Sequence, residues 1–158
     1  MKNSIKKGLG FGLTSGIITT LGLIIGLYFS TKSILAVIGG IIIIAIVDSL
    51  SDSLGIHISE ETNPKNSKRE IWESTCSTFC FKFIFAISFI IPFLFFEALT
   101  AIVLCIFWGL LLISLFSYYL ALSRKQPPFK TIAEHFIITV VVIIITYFVG
   151  SLVNKVFS

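Results

Sequence analysis

Long apolar stretches alternate with short polar breaks along the chain. Each stretch is close to the ~20 apolar residues that a helix needs to cross the hydrocarbon core of a bilayer. The pattern therefore predicts an all-α integral membrane protein, with residues 1–158 forming a single transmembrane domain. Five transmembrane helices are expected, at about Leu9 to Ser30, Ile34 to Ile58, Thr75 to Phe96, Ala98 to Leu122 and Phe129 to Val153.

One polar break is much longer than the others. Residues 59–74 read SEETNPKNSKREIWES and carry seven charges, with Asn63 and Pro64 as typical turn residues. This stretch is expected to be a short cytoplasmic loop between helices two and three. Pro92 is expected to kink helix three, and the hydroxyl of Ser88 could satisfy a backbone group that the kink frees.

Composition supports the membrane assignment. Apolar residues make up 56% of the chain and charged residues 13%, whereas a soluble domain has about 45–50% and about 25%. A large soluble catalytic domain is excluded. The formal charge of +4 does not indicate nucleic-acid binding, because the twelve basic residues are scattered between apolar blocks. The lipid bilayer is the expected partner.

The basic residues indicate orientation, because lysine and arginine are retained on the cytoplasmic side. Nine basic residues fall in the N-terminal segment, the central loop and the last loop, which share one side of a five-helix topology, whereas Lys32 and Lys155 fall on the other. We expect a cytoplasmic N-terminus and an outer C-terminus. The plasma membrane of a prokaryote is the expected location.

Helix two carries carboxylates within its apolar stretch. Asp48 and Asp52 lie four residues apart and so share one helical face, with Ser51 nearby. A charged side chain at the bilayer centre costs about 2.5–3.5 kcal/mol even on the most lenient scale, so this face must contact protein or water. His57, Glu60 and Glu61 follow at the expected cytosolic mouth. The series favours a path for a cation or for protons.

Two other charged residues bear on this interpretation. Lys82 of helix three should lie at a similar depth to Asp52, and the two could form a purely structural ion pair. One lysine does not neutralise two carboxylates, however, so a second proton or a metal ion is still needed. Glu134, near the cytosolic start of helix five, could take part in a proton relay or an ion pair, or could be a solvated interface residue.

Helix one has small residues at regular spacing. Gly8, Gly12 and Gly16 recur every four residues, a pattern that lets a partner backbone approach closely. The pattern predicts a helix-packing face, and packing on a second copy of helix one would place this face at a homodimer interface. The hydroxyls of Ser15 and Thr19 are available to the aspartates. In the metal interpretation Asp48 and Asp52 bind the cation, and Ser51, Ser15 and Thr19 complete an oxygen shell.

Several motifs resemble the vacuolar iron transporter family of divalent metal transporters. The resemblance rests on SGIITTLGLIIGL from Ser15 to Leu27, on Asp48 to Glu61, on Phe83 to Pro92 and on ITYFVGSLV near the end of the chain. It covers nearly the whole chain and implies a homodimer with five spans and a cytoplasmic N-terminus.

The sequence also departs from the pattern of that family. Ser15 stands where the family has an aspartate, Asp52 where it has a methionine ligand, and Ile44 near the place of a glutamate. The family's glutamate-rich cytoplasmic metal-binding domain is reduced to residues 59–74. Because oxygen ligands suit Mn, Mg or Ca as readily as Fe, the resemblance does not fix the metal.

Three classes of function remain to be compared. The leading prediction is a secondary transporter that moves an Fe-like or Mn-like divalent cation out of the cytosol, with proton exchange as a possible coupling and no permanently bound cofactor. The alternative is a non-transporting membrane scaffold or assembly subunit, in which Asp52 and Lys82 are a structural pair. An intramembrane enzyme is rejected, because aspartyl catalysis needs two carboxylates from different helices and Asp48 and Asp52 share one.

Overall fold

A computed structural model describes residues 2–157, and the regular structure within that range is entirely helical. The helices are α1 (Asn3–Thr31), α2 (Ile34–Glu61), α3 (Lys68–Ser88), α4 (Ile91–Phe95), α5 (Ala98–Ser123) and α6 (Pro128–Phe157). The short α4 continues α3, so five helical segments are long and apolar enough to cross a membrane. The predicted all-α fold with five spans is confirmed.

Most helices extend beyond their apolar stretches. α1 already begins at Asn3, and α3 begins at Lys68, in the middle of the expected loop. Ser67 and Glu70 start α3 with a capping box, in which each side chain bonds the other residue's backbone N–H. Hydrophobicity marks the part of a helix that lies in the membrane, whereas these polar end residues decide where the helix begins.

The third span is broken rather than continuous. α3 ends at Ser88 and α4 begins at Ile91, with Pro92 in its first turn. Proline has no backbone N–H and cannot continue the hydrogen-bond ladder of the preceding turn. The Ser88 hydroxyl donates to the carbonyl of Phe85 at 2.6 Å and accepts from the indole N–H of Trp108 at 3.2 Å. The expected kink at Pro92 is confirmed, and it divides the span in two.

α1 lies at the centre of the bundle and packs against α2, α3, α5 and α6. Its side chains Ile17, Leu21 and Ile24 are fully buried. Within the described residues, α2 makes extensive contacts with α1 and α3 alone, so it lies at one edge of the bundle. Much of its surface is exposed and apolar. In a bilayer that exposed surface faces lipid or another protein.

The glycines of α1 pack against α3 of the same chain. A Cβ on Gly12 would lie 2.7 Å from the backbone oxygen of Thr78, and one on Gly8 would lie 1.9 Å from the hydroxyl of Ser77. The predicted packing face is confirmed, but the expectation that this face forms a dimer interface is wrong. Four-residue spacing of glycines indicates a close partner helix without indicating which helix it is.

Polar contacts join the helices at both ends of the bundle. At one end Lys2 pairs with Glu73 at 2.6 Å and Lys7 pairs with Glu60 at 2.9 Å, which ties the start of α1 to α2 and α3. At the other end the Asn154 side chain donates to the backbone oxygen of Ser30 at 2.8 Å. The start of α1 and the end of α6 therefore lie at opposite ends of the bundle.

Candidate functional site

Four polar side chains from three helices meet near the middle of the bundle. The Nζ atom of Lys82 on α3 lies 2.5 Å from Oδ2 of Asp48 and also bonds Oδ2 of Asp52, both on α2. From α1, the Ser15 hydroxyl donates to Asp52 Oδ2 at 2.7 Å and accepts from Lys82 Nζ at 3.0 Å. We call Ser15, Asp48, Asp52 and Lys82 the central polar cluster.

Lys82 is the most buried member of this cluster. Its side chain is 1% exposed, and it is among the largest fully buried side chains within residues 2–157. A buried ammonium is tolerated only when paired and hydrogen-bonded. Here it donates hydrogen bonds to Asp52 and Ser15, and it forms an ion pair with Asp48 Oδ2, which has no hydrogen bond. Gly16 makes room for it, because a Cβ there would lie 3.3 Å from Lys82 Cγ and 3.1 Å from its backbone oxygen.

The charges of the cluster do not balance. Two carboxylates share one ammonium, which leaves a formal excess of one negative charge when all three are ionised. The pairing of Lys82 with Asp52 was one of the alternatives that the sequence left open, whereas the contact of Lys82 with Asp48 was not foreseen. The four-residue spacing of the aspartates was the available signal, since one side chain between them can contact both.

The two aspartates differ in their surroundings. The Asp48 side chain is 29% exposed and borders a groove of about 380 Å³ between α1 and α2, which Ser51 also lines. The other lining residues are apolar and include Leu23 and Val47. Asp52 is 22% exposed and faces Ser15. The groove is open on the outer surface of the bundle, so the cluster has an exposed side at Asp48.

Ser51 and Thr19 are placed less centrally than Ser15. Ser51 is exposed, and it shares the groove with Asp48. The Thr19 hydroxyl donates to the backbone oxygen of Ser15 at 2.8 Å, which is a bond within its own helix. Of the three hydroxyls in the predicted oxygen shell, the structure brings only Ser15 into contact with a carboxylate.

The residues expected at the cytosolic mouth lie at the end of α2. His57 Nδ1 lies 2.9 Å from the Thr75 hydroxyl, and its Nε2 lies 3.5 Å from Oε1 of Glu61. Glu60 pairs with Lys7 and accepts from the Asn66 amide at 2.9 Å. His57 and Glu61 therefore lie together, while Glu60 is already neutralised by a lysine.

A cavity of about 500 Å³ opens at this end of the bundle, between α1, α2, α5 and α6. Most of its lining is apolar, and its charged residues are mainly basic, with Lys6, Lys7 and Arg124 beside Glu60. In the sequence these basic residues had been used only to assign orientation.

Glu134 lies apart from the central polar cluster. It is exposed on α6, and its carboxylate forms no ion pair or hydrogen bond with residues 2–157. In the neighbouring residue His135, by contrast, the Nδ1 atom lies 2.7 Å from the buried hydroxyl of Ser117 on α5. The structure therefore gives Glu134 no connection to Lys82.

Two buried hydroxyls were not singled out as ligands by the sequence. Within residues 2–157, Thr20 Oγ1 and Ser49 Oγ are buried without a hydrogen-bond partner. Thr20 lies one turn beyond Gly16 on the same face of α1, and Ser49 directly follows Asp48 on the buried face of α2. Helical spacing from Gly16 could have indicated Thr20.

The ligand set available to a metal ion is small. No group of three or more His, Cys, Asp or Glu side chains converges within the described part of the chain. A cation at the central polar cluster would therefore be held by two carboxylates together with neutral oxygens.

Comparison with known proteins adds one finding. A sequence profile of the VIT family matches residues 43–151, which is more than two thirds of the chain. The match includes Asp48, Asp52 and Lys82 but not Ser15. No curated protein and no solved structure matches the chain.

Proposed function

The chain belongs to the VIT family of membrane metal-ion transporters, and from this premise we propose that it is a secondary transporter of an Fe-like or Mn-like divalent cation. The observation that carries the proposal is the excess of carboxylate over ammonium in the central polar cluster. An uncompensated negative charge within the membrane is costly, and a divalent cation matches the two negative charges of Asp48 and Asp52.

The chemistry of the cluster suits a hard divalent cation. Carboxylates and hydroxyls are oxygen ligands, which favour ions such as Mn²⁺, Mg²⁺ and Ca²⁺ and also accept Fe²⁺. Asp48 and Asp52 would supply the charged ligands, and Ser15 is placed to supply a neutral one. Ser51 could reach a cation that approaches Asp48 from the groove.

We propose that transport runs out of the cytosol and uses an ion gradient. The sequence contains no phosphate-binding loop of the type found in ATP-driven transporters. The excess of basic residues at the end where α1 begins favours that end as the cytoplasmic one. A proton gradient is the driving force to test first, because carboxylates that release a metal ion can take up protons instead.

The exposed groove supports a homodimer. In a monomer, Asp48 and Ser51 would border lipid near the middle of α2, where a polar surface is unfavourable. A second copy that covers the groove would remove this contact. We therefore place the dimer interface on the exposed face of α2 and the neighbouring part of α1, rather than on the glycines of α1.

A membrane scaffold is the second candidate. The observation in its favour is that Lys82 already pairs with both aspartates, as a purely structural cluster would require. A scaffold needs the cluster only for folding and would bind no metal ion. The two candidates therefore make opposite predictions for metal flux.

Reconstitution into proteoliposomes tests the proposal. Flux of Fe²⁺, Mn²⁺, Mg²⁺ and Ca²⁺ would be measured with and without a pH gradient. Asp48→Asn and Asp52→Asn should each abolish flux of the transported ion, because each removes one charged ligand. Glu97→Gln is the matched control, since Glu97 is exposed between α4 and α5, away from the central polar cluster. Absence of flux of all four ions through the wild-type protein, or undiminished flux in both aspartate variants, would contradict the proposal.

A further inference from the structure

We propose that the ammonium group of Lys82 is a built-in counter-ion that occupies the cation position between Asp48 and Asp52, and that a metal ion binds by displacing it. This inference rests on the proposed function, because it concerns the same site. It assigns to Lys82 the role of a competitor that sets the affinity of the site, which is distinct from the role of the aspartates as ligands.

The position of the Nζ atom carries the argument. It contacts one oxygen of each aspartate, with 2.5 Å to Asp48, and it lies 3.0 Å from the Ser15 hydroxyl. These three oxygens are the donors that a divalent cation would use. An ammonium and a metal ion cannot occupy the same space between them, so binding of one excludes binding of the other.

The cluster is accessible from the side that a cation would need. Asp48 borders the open groove with 29% of its side chain exposed, whereas the Lys82 side chain is 1% exposed and does not line the groove. A metal ion can therefore contact Asp48 first, while the ammonium still pairs with Asp52. The ammonium then withdraws along its own flexible stem, which packs beside Gly16.

A displaced ammonium needs other acceptors in its buried surroundings, because an unpaired buried charge is costly. The two hydroxyls without a partner, Thr20 Oγ1 and Ser49 Oγ, are on buried faces of α1 and α2. Thr20 lies one turn beyond Gly16, against which the lysine stem packs. These hydroxyls have the hydrogen-bonding capacity to accept the ammonium in the metal-bound state.

Removal of the competitor should strengthen metal binding. Lys82→Met keeps a long side chain in the buried position but removes its charge, so Mn²⁺ no longer has to displace an ammonium. We expect the full-length variant in detergent to bind Mn²⁺ at least about tenfold more tightly than the wild-type protein, as measured by isothermal titration calorimetry. Lys155→Met, at an exposed position near the end of α6, is the control and should bind as the wild type does.

A second variant keeps the inference testable if Lys82→Met does not fold. Without the ammonium, the carboxylates of Asp48 and Asp52 repel each other. Lys82→Ala would be purified with n-propylammonium, which supplies the atoms that the substitution removes. We expect n-propylammonium to weaken Mn²⁺ binding by this variant but not by the wild-type protein. The neutral analogue n-propanol should have no effect on either protein, and failure of n-propylammonium to compete would overturn the inference.

The outcomes separate this inference from the proposed function. If wild-type protein binds Mn²⁺ through both aspartates and Lys82→Met binds it equally or more weakly, Lys82 is not a competitor, and only this inference fails. If wild-type protein and the lysine variants bind no Mn²⁺, Fe²⁺, Mg²⁺ or Ca²⁺, the transporter proposal fails as well. Tighter binding by Lys82→Met together with competition by n-propylammonium supports both.

Discussion

Ser15 shows how a single hydroxyl can connect three helices. Its oxygen is a donor to Asp52 and an acceptor from Lys82, so it contacts both signs of charge in the central polar cluster. Hydrogen bonds to charged groups are stronger than those between neutral groups. Ser15 therefore orients charges of both signs without adding a charge itself.

Ser15→Ala should destabilise the protein because it removes two hydrogen bonds to charged partners. We expect a loss of about 1.5 kcal/mol in the free energy of unfolding, seen as a lower midpoint of thermal unfolding in detergent. Ser30→Ala is the matched control, since the Ser30 hydroxyl donates to the backbone of its own helix. Equal midpoints for the two variants would show that Ser15 does not hold the cluster together.

At the scale of helices, the fold depends on how closely α1 approaches α3. Glycines on α1 bring the two backbones into contact, and this closeness lets Lys82 and Ser15 meet. Gly10 of α1 serves no such purpose, because a Cβ there would lie at an ordinary contact distance of 3.5 Å from the Phe116 ring. Gly10 and Gly12 should therefore respond oppositely to the same substitution.

Gly12→Ala should weaken the packing of α1 on α3, because the new methyl group would lie 2.7 Å from a backbone oxygen that cannot easily move. We expect a loss of about 1–3 kcal/mol in stability, measured by thermal unfolding in detergent. Gly10→Ala, whose new methyl group would lie at an ordinary contact distance of 3.5 Å from the Phe116 ring, should instead gain about 0.5–1 kcal/mol from the higher helix propensity of alanine. A Gly12→Ala protein as stable as the wild type would contradict the close packing of these helices.

At the scale of the whole molecule, the odd number of spans places the two ends of the chain on opposite sides of the membrane. Five successive spans reverse direction four times, which leaves the first and last residues on opposite sides. The contacts of Lys7 at one end of the bundle and of Asn154 at the other are consistent with this arrangement. The orientation of the bundle in the membrane therefore decides which of these two ends faces the cytosol.

Cysteine labelling tests the proposed orientation. In a protein whose Cys76, Cys80 and Cys105 are replaced by serine, Lys65→Cys should react with an impermeant thiol reagent only after the cytosolic side is opened. Lys155→Cys should react in intact cells, because the end of α6 is expected outside. Reaction of both positions from one side would refute the five-span topology.

Cross-linking tests the proposed dimer. Val47 lies on the exposed face of α2, lines the groove and is 60% exposed. The variant Val47→Cys should therefore form a disulfide-linked dimer in the membrane. Val149→Cys on α6 is a control of similar exposure at 53%. Cross-linking through position 149 but not through position 47 would move the interface to α6.

Hydrophobic patterning alone determined the all-α architecture and the number of spans, because the cost of exposing polar groups to lipid acts on every residue of a span. The kink at Pro92 was also predictable, since proline disrupts a helix in any surroundings. The presence of Asp48 and Asp52 within an apolar stretch was enough to indicate a candidate site, because such residues must find a polar partner.

The tertiary structure decided which residues meet across helices. It brought Lys82 to both aspartates, joined Ser15 to them and left Thr19 bonded to its own helix. It also showed that the glycines of α1 pack within the chain. Sequence spacing defines the face of a helix on which a residue lies, but which helix that face meets depends on how all five pack together, and that packing is a property of the whole molecule.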